Sequence, residues 1–314
     1  MVKQDNYLKC MLCPHQCGVN RRQGERGICA ESATVRLAWV GFHKGEEPPL
    51  VEKEGSGTLF FSGCTLHCPY CQNREISRRF TPIGKAVSVG ELASLFLSLQ
   101  AGGAANLNLV TATHFIPSIV EALDLALEQG LTLPVVYNTS GYESVEGLAL
   151  IDPFVDTYLF DINTLSRNVA SQFCGSRDYP EVVLKAVEFL KEKHPTTFID
   201  AQGVLKGLLV RHLVFPGCLD ASKEFLHWFA ANLKDNAWLS LMVQFVDPSG
   251  ERKFPPLEEK EWQALIDLLA ELSIEEGFVQ ELGDEDEWIP HFSAPNPFPE
   301  DFAKPLQAFM ELAN

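Results

Sequence analysis

The chain has 314 residues, 46% of them hydrophobic, and a formal charge of −17. That length suffices for one large α/β domain with appendages, or for two domains. The charge argues against nucleic acid as the main partner, since phosphate binding needs clustered Lys and Arg. No run offers the roughly eighteen apolar residues of a membrane helix, and the opening MVKQDNYLKCMLC lacks a secretion-signal core, so a cytoplasmic protein without a membrane partner is expected.

Seven of the nine cysteines fall in the first 71 residues. In a reducing compartment, clustered cysteines more often bind metal than pair as disulfides. Three zones follow. Residues 1–55 are a Cys-rich N-terminal lobe with little sustained periodicity, residues 56–247 alternate strand-like and helix-like segments, and residues 248–314 form a C-terminal helical extension.

In the first zone, Cys10, Cys13, Cys17 and Cys29 form C-x2-C-x3-C-x11-C, with Pro14, Gly18, Gly24 and Gly27 supplying turns. Four thiolates at this spacing can close a complete metal site, and a segment so poor in core gains a staple from one. Zinc and a second iron–sulfur cluster both remain open. A cluster would be able to pass electrons inward, whereas zinc would only fasten the segment.

In the second zone, Gly57–Ser62 is an apolar strand running into a cysteine loop. Ser88 and Glu91 make a capping box for a helix with Leu92, Leu95, Phe96 and Leu99 on one face. Leu107–Val110 is the next strand. Pro117 then opens a helix striped by Ile116, Ile119, Val120, Leu123 and Leu127, and Gly130 ends it. Strand Pro134–Asn138, a short helix near Val145–Leu150 and buried strand Val155–Phe160 come next. A helix carrying Val183, Val187 and Leu190 precedes strand Leu208–Phe215. A helix with Phe225, Phe229 and Leu233 precedes the sixth strand, Leu239–Phe245. Strands alternating with helices at this spacing predict a parallel sheet, here a partial (β/α)6 barrel with its chemistry at the C-terminal strand ends. In the third zone, Trp262, Leu265, Ile266, Leu269 and Leu272 form a helical core stripe, and the acidic run Asp284–Glu287 reads as a solvated loop.

The loop after the first barrel strand is Gly63-Cys64-Thr65-Leu66-His67-Cys68-Pro69-Tyr70-Cys71. Cys64, Cys68 and Cys71 give C-x3-C-x2-C. A 4Fe–4S cluster has four irons, each usually held by one thiolate. Three cysteines therefore leave one iron open to a small chelator with an amine and a carboxylate. The amino-acid end of S-adenosylmethionine carries both.

The chain thus resembles the radical S-adenosylmethionine superfamily. Within it, the chain is similar to proteins related to pyruvate formate-lyase activating enzyme, through CMLCPHQCGVNRRQGERGIC, FFSGCTLHCPYCQNREIS, NLNLVTATHF, RDYPEVV and VRHLVFPG. The resemblance implies cofactor contacts at Tyr70, at Thr111, Thr113 and His114, at Asn138 and Ser140, and at Asp161, Arg211 and Gln244. It departs at His114, where activating enzymes carry a carboxylate, and at Asn163, where they carry a lysine. It further implies a 5′-deoxyadenosyl radical that abstracts hydrogen from a substrate, such as a protein glycyl or peptide site, with flavodoxin or ferredoxin as electron donor. Two other functions stay open: a non-catalytic iron–sulfur or zinc-bearing adaptor, and radical modification of a small metabolite.

Overall fold

The computed structural model describes residues 4–52, 54–77, 83–243, 245–248, 257–283 and 289–312. Its strands are β1 (Val35–His43), β2 (Ser56–Phe61), β3 (Lys85–Val87), β4 (Leu107–Val110), β5 (Val135–Thr139), β6 (Thr157–Asp161), β7 (Phe198–Ile199), β8 (Leu205–Leu213), β9 (Ala237–Met242), β10 (Gly277–Val279) and β11 (Ala303–Pro305). The helices are α1 (Arg74–Ser77), α2 (Val89–Ala101), α3 (Ile116–Glu128), α4 (Val145–Ile151), α5 (Arg167–Val169), α6 (Tyr179–Lys193), α7 (Leu219–Asn232), α8 (Glu259–Glu271) and α9 (Gln307–Met310).

The strands lie in the order β10-β9-β8-β6-β5-β4-β2-β1-β11, with β3 beside β1 and β7 beside β8. From β2 to β10 every pairing along that path is parallel. Helices α2, α3, α4, α6, α7 and α8 carry the chain from each of these strands to the next. Among the described residues the path does not close on itself, so the sheet is an open, partial barrel.

Local chemistry explains the elements. The Ser88–Glu91 capping box forms in full at the start of α2, and Pro117 stands in the first turn of α3, where its missing N–H costs nothing. On α3, Ile116, Ile119, Val120 and Leu123 are buried against the sheet, but Leu127 is 51% exposed, because Ala126 takes the inward place in the last turn. The six expected barrel strands are present.

Five described strands, β1, β3, β7, β10 and β11, were not legible in the pattern. The sheet gains a seventh parallel strand, β10, and the segment Val35–His43 inside the Cys-rich zone is the nine-residue β1, antiparallel to β2. On β1 the alternation holds only from Val35 to Ala38, after which every residue is buried. That second half has β2 on one side and β11 on the other, while the C-terminal aromatics Phe292 and Phe298 join Trp39 and Phe60 in a separate apolar cluster. The acidic run Asp284–Glu287 lies outside the described residues.

Candidate active site

The chain leaves β2 through Gly63, whose φ of +81° turns it sharply into the cysteine loop. A hydrogen bond from Cys71 N to Cys68 O (3.2 Å) tightens the second half of that loop. His67, just before Cys68, also has a left-handed φ of +57°. Leu66 N donates to Cys64 Sγ at 3.3 Å, and Ser77 Oγ to Cys71 Sγ at 3.7 Å. Burial, together with the neighbouring thiols, pushes Cys64 up to about 11 and Cys68 well above the usual thiol range. Three thiolates would coexist here only beside compensating positive charge, such as a bound metal would supply.

All three cysteines line a cavity of about 510 Å³, a size that suits one cofactor-like ligand. The C-terminal strand ends and the turns after them supply Thr111, Asn138, Ser140, Asp161, Asn163 and Arg211 to the same cavity. Thr111 holds a φ of +59°, a strained conformation of the kind that gathers at working sites. Tyr70 lines the cavity too; its hydroxyl accepts from Asn163 Nδ2 at 3.0 Å and its ring lies against Phe215. Asn163, where activating enzymes have a lysine, is thus spent on positioning the loop tyrosine.

Arg211 faces the cavity but is already occupied. Its guanidinium donates to both Glu46 and Glu47, from the turn after β1. With Asp161 beside it, one cation stands among three carboxyl groups. Burial raises Asp161 to about 7, although Arg211 pulls it back. Burial also lowers His43, which lies near Glu46 and stays neutral. This end of the cavity is therefore electronegative, a setting for a cationic ligand rather than for a lone carboxylate.

Two expected contacts lie elsewhere. His114 is buried, does not line the cavity, and donates from Nε2 to Ser62 O at 2.7 Å. Burial and Arg21 lower it to about 3, so it is neutral. Thr113 is also buried, and its hydroxyl donates to Glu143 at 2.6 Å. Both sit in the short turn after β4, which rotates Thr111 toward the cavity and the next side chains into the core. Gln244 lies outside the described residues.

The pattern of the Radical SAM superfamily matches residues 58–206, from β2 to the start of β8. Over that span the chain is similar to the radical SAM superfamily. It is also 26% identical over 266 residues to the uncharacterized protein MJ0674 of Methanocaldococcus jannaschii, covering 82% of this chain and 72% of that one. Among solved structures it is similar to Streptococcus suis SuiB bound to its precursor peptide SuiA, with a TM-score of 0.51 and 12% identity. That match covers 70% of this chain, which spans about half (47%) of SuiB, and is a likeness of fold. A looser likeness, with a TM-score of 0.39 and 15% identity, is to a domain of a pyruvate-formate lyase-activating enzyme from Bacteroides vulgatus; it covers 52% of this chain and 89% of that domain.

The residues fit the cofactors of a radical SAM enzyme. Among the described residues no three Cys, His, Asp or Glu side chains meet at a point one metal ion would occupy. A cluster that binds each thiolate through a different iron needs them spread apart instead. The adjoining anionic wall suits a sulfonium.

Several residues of this site carried no signal in spacing. Glu143 is fully buried and accepts from Thr113, Thr139 and Tyr137, tying the ends of β4 and β5 together beneath the cavity. Burial raises its carboxyl to about 7. Glu46 and Glu47 stand in Gly-Glu-Glu-Pro-Pro, which reads as an ordinary polar turn. Cys174 ends a π-turn, a form frequent at functional sites, and is buried close enough to Cys68 to raise it. The C-terminal Phe298 and Phe302 reach back to the cavity wall. His212 is packed, with its ring stacked on Phe225 and its nitrogens bonded to Ile162 O and Ser222 Oγ.

Proposed function

We propose that Cys64, Cys68 and Cys71 hold a 4Fe–4S cluster, and that S-adenosylmethionine occupies the cavity between this cluster and the strand ends. The single observation that carries the reading is that these three cysteines line one cavity together with the carboxyl groups of Glu46 and Asp161 and with Arg211. When bound, the cluster supplies the electron that splits the sulfonium into methionine and a 5′-deoxyadenosyl radical, which then takes hydrogen from a substrate. Tyr70, Thr111, Asn138, Ser140 and Asp161 orient the adenosine and methionine parts. Arg211 acts through Glu46 and Glu47, fixing two carboxylates near the sulfonium. Thr113 and His114 act from beneath, on Glu143 and on Ser62.

The substrate in this reading is a protein or peptide, with hydrogen taken at a glycyl or similar backbone site, as in activating enzymes. Reduced flavodoxin or ferredoxin is the donor, in the cytoplasm. Cys10, Cys13, Cys17 and Cys29 hold a metal of their own in the N-terminal lobe. One observation favours a second reading, modification of a small metabolite: Phe298, Phe302 and Pro290 of the C-terminal extension wall the cavity.

Anaerobic reconstitution, reduction and addition of S-adenosylmethionine should yield 5′-deoxyadenosine, and none should form with Cys64→Ala. A fully loaded cluster that cleaves nothing would sink the proposal. The substrate class follows from a deuterated cell extract split by ultrafiltration. Deuterium should enter 5′-deoxyadenosine from the macromolecular fraction; label only from the small-molecule fraction would select the second reading.

A further inference from the structure

The N-terminal cysteines are brought together by bonds outside any helix or strand. Cys10 and Gly18 face each other across a turn, with Gly18 N donating to Cys10 O at 2.9 Å and Cys10 N to Val19 O at 3.0 Å. Ile28 N donates to Cys17 Sγ at 3.4 Å, and a side chain at Gly27 would press on that sulfur. Cys10, Cys13 and Cys29 are buried at 7%, 7% and 6% exposure. Cys17, half-buried, opens into a surface hollow lined also by His15, Arg26 and Ile28. Gln16 and Ala30, adjoining Cys17 and Cys29, hold left-handed φ values of +43° and +66°. Three cysteines are thus sealed and one faces solvent, without the single-point convergence that one zinc ion requires.

This second cysteine set touches the first directly. His15, between Cys13 and Cys17, donates from Nε2 to Thr65 O of the barrel loop at 2.6 Å. His67 of the barrel loop returns the contact, donating from Nε2 to Ile28 O, beside Cys29, at 2.8 Å. Gly63 packs so closely on Cys29 that an added Cβ would lie 2.5 Å from the Cys29 carbonyl. Arg21, 1% exposed, binds the same junction from below: it donates to Glu31 O, Ser32 O and His114 O, and approaches Cys10 Sγ at 3.9 Å. His114 in turn holds Ser62, two residues before Cys64. A structural staple has no need of this reciprocal bracing against the barrel loop.

We propose that Cys10, Cys13, Cys17 and Cys29 bind a second iron–sulfur cluster, fully ligated by protein, that passes single electrons across the Ile28–Cys29 and Gly63–Thr65 contact to the cluster at Cys64, Cys68 and Cys71. The reductant is an external one-electron carrier protein of the flavodoxin or ferredoxin class. It loses one electron at the Cys17 hollow, the N-terminal cluster is reduced and then reoxidised, and the barrel cluster gains that electron. No atoms move. The relay half of the proposal rests on the assignment of the barrel cluster made above.

The test counts iron, sulfide and zinc in anaerobically reconstituted protein and records electron paramagnetic resonance after reduction. Wild type should carry about eight irons per chain, two clusters' worth. The variant Cys64→Ala/Cys68→Ala/Cys71→Ala should keep about four, with a reduced-cluster signal unchanged by S-adenosylmethionine. The variant Cys10→Ala/Cys13→Ala/Cys17→Ala/Cys29→Ala should keep the other four, with a signal that S-adenosylmethionine shifts. About four irons and one zinc in wild type would overturn the proposal, and that count needs no variant to fold. Loss of all iron from the barrel-loop variant would do the same, whereas its retaining all eight would instead overturn the barrel assignment. Reduced flavodoxin should reduce the barrel cluster at least about tenfold more slowly in the N-terminal variant, with dithionite reducing both proteins alike. Equal rates with flavodoxin would remove the relay.

Discussion

Glu143 shows how much of this site hangs on one side chain outside the cavity. Its Oε1 accepts three hydroxyls, while Oε2 has no hydrogen-bond partner among the described residues. Its folded pKa is raised from 4.5 to about 7, so its contribution to stability is full below 4.5 and is lost as pH rises through 7. Glu143→Gln keeps an accepting oxygen and removes the ionisation. The variant should therefore gain on wild type by up to ~3 kcal/mol between pH 4.5 and pH 8. Urea unfolding of both proteins at pH 5.5 and pH 8 measures this, and a gap independent of pH would refute it. A neighbouring residue tests the anionic wall. Glu46→Gln removes one charge facing the cavity, so S-adenosylmethionine should bind at least about tenfold more weakly, since one charge even roughly 12 Å away in an effective dielectric near 20 is worth about 1.4 kcal/mol. S-adenosylhomocysteine, without the sulfonium, should be little affected, and calorimetry of the two ligands separates the cases. Neither glutamate was legible in the sequence, because nothing in a polar turn states which partner it will meet. The cysteines were legible, because their spacing is itself the chemistry. His114 shows the limit of borrowed positions: the turn after β4 points it at Ser62 instead of the cavity.

At the scale of elements, the two cysteine loops behave as one braced unit, and Gly63 is its tightest point. Any side chain there meets the Cys29 carbonyl at 2.5 Å and Glu31 Cγ at 2.8 Å, in a backbone conformation that costs an L-residue about 1–2 kcal/mol by itself. Gly63→Ala should lower the thermal midpoint and, by parting the loops, reduce the iron retained at both sites after desalting. An unchanged iron content would show that the loops hold their clusters independently. The barrel strands could be read because apolar runs and helical stripes alternate. The strands that complete the sheet could not, for physical reasons. β10 is three residues among glutamates and owes its place to β9, and β11 contains a proline and exists only as a partner for β1. The second half of β1 is buried without alternation, so it carries no period to detect.

At the scale of the molecule, the C-terminal extension returns to the start of the chain and closes one side of the cavity. β11 pairs with β1, and Phe298 packs edge-on against Trp39 and His43, with ring centroids 5.0 Å from each, and beside Phe60 at 5.4 Å. Phe298 also lines the cavity, so one ring serves both the core and the wall. A radical formed behind this wall is kept from solvent, whereas one formed behind a gap is quenched before it meets substrate. Phe298→Ala should therefore act twice. It should lower stability by about 3–5 kcal/mol, the usual cost of deleting a buried aromatic ring. It should also raise, several-fold, the 5′-deoxyadenosine released when no substrate is present, because thiols and other hydrogen-atom donors of the assay buffer gain access to the cofactor side. Conservative Phe298→Leu should recover most of the stability but only part of the closure, which separates the two effects. Abortive cleavage that stays at the wild-type rate in both variants would mean that the extension only props up the sheet, and that the cavity is sealed by another part of the chain or by the substrate itself.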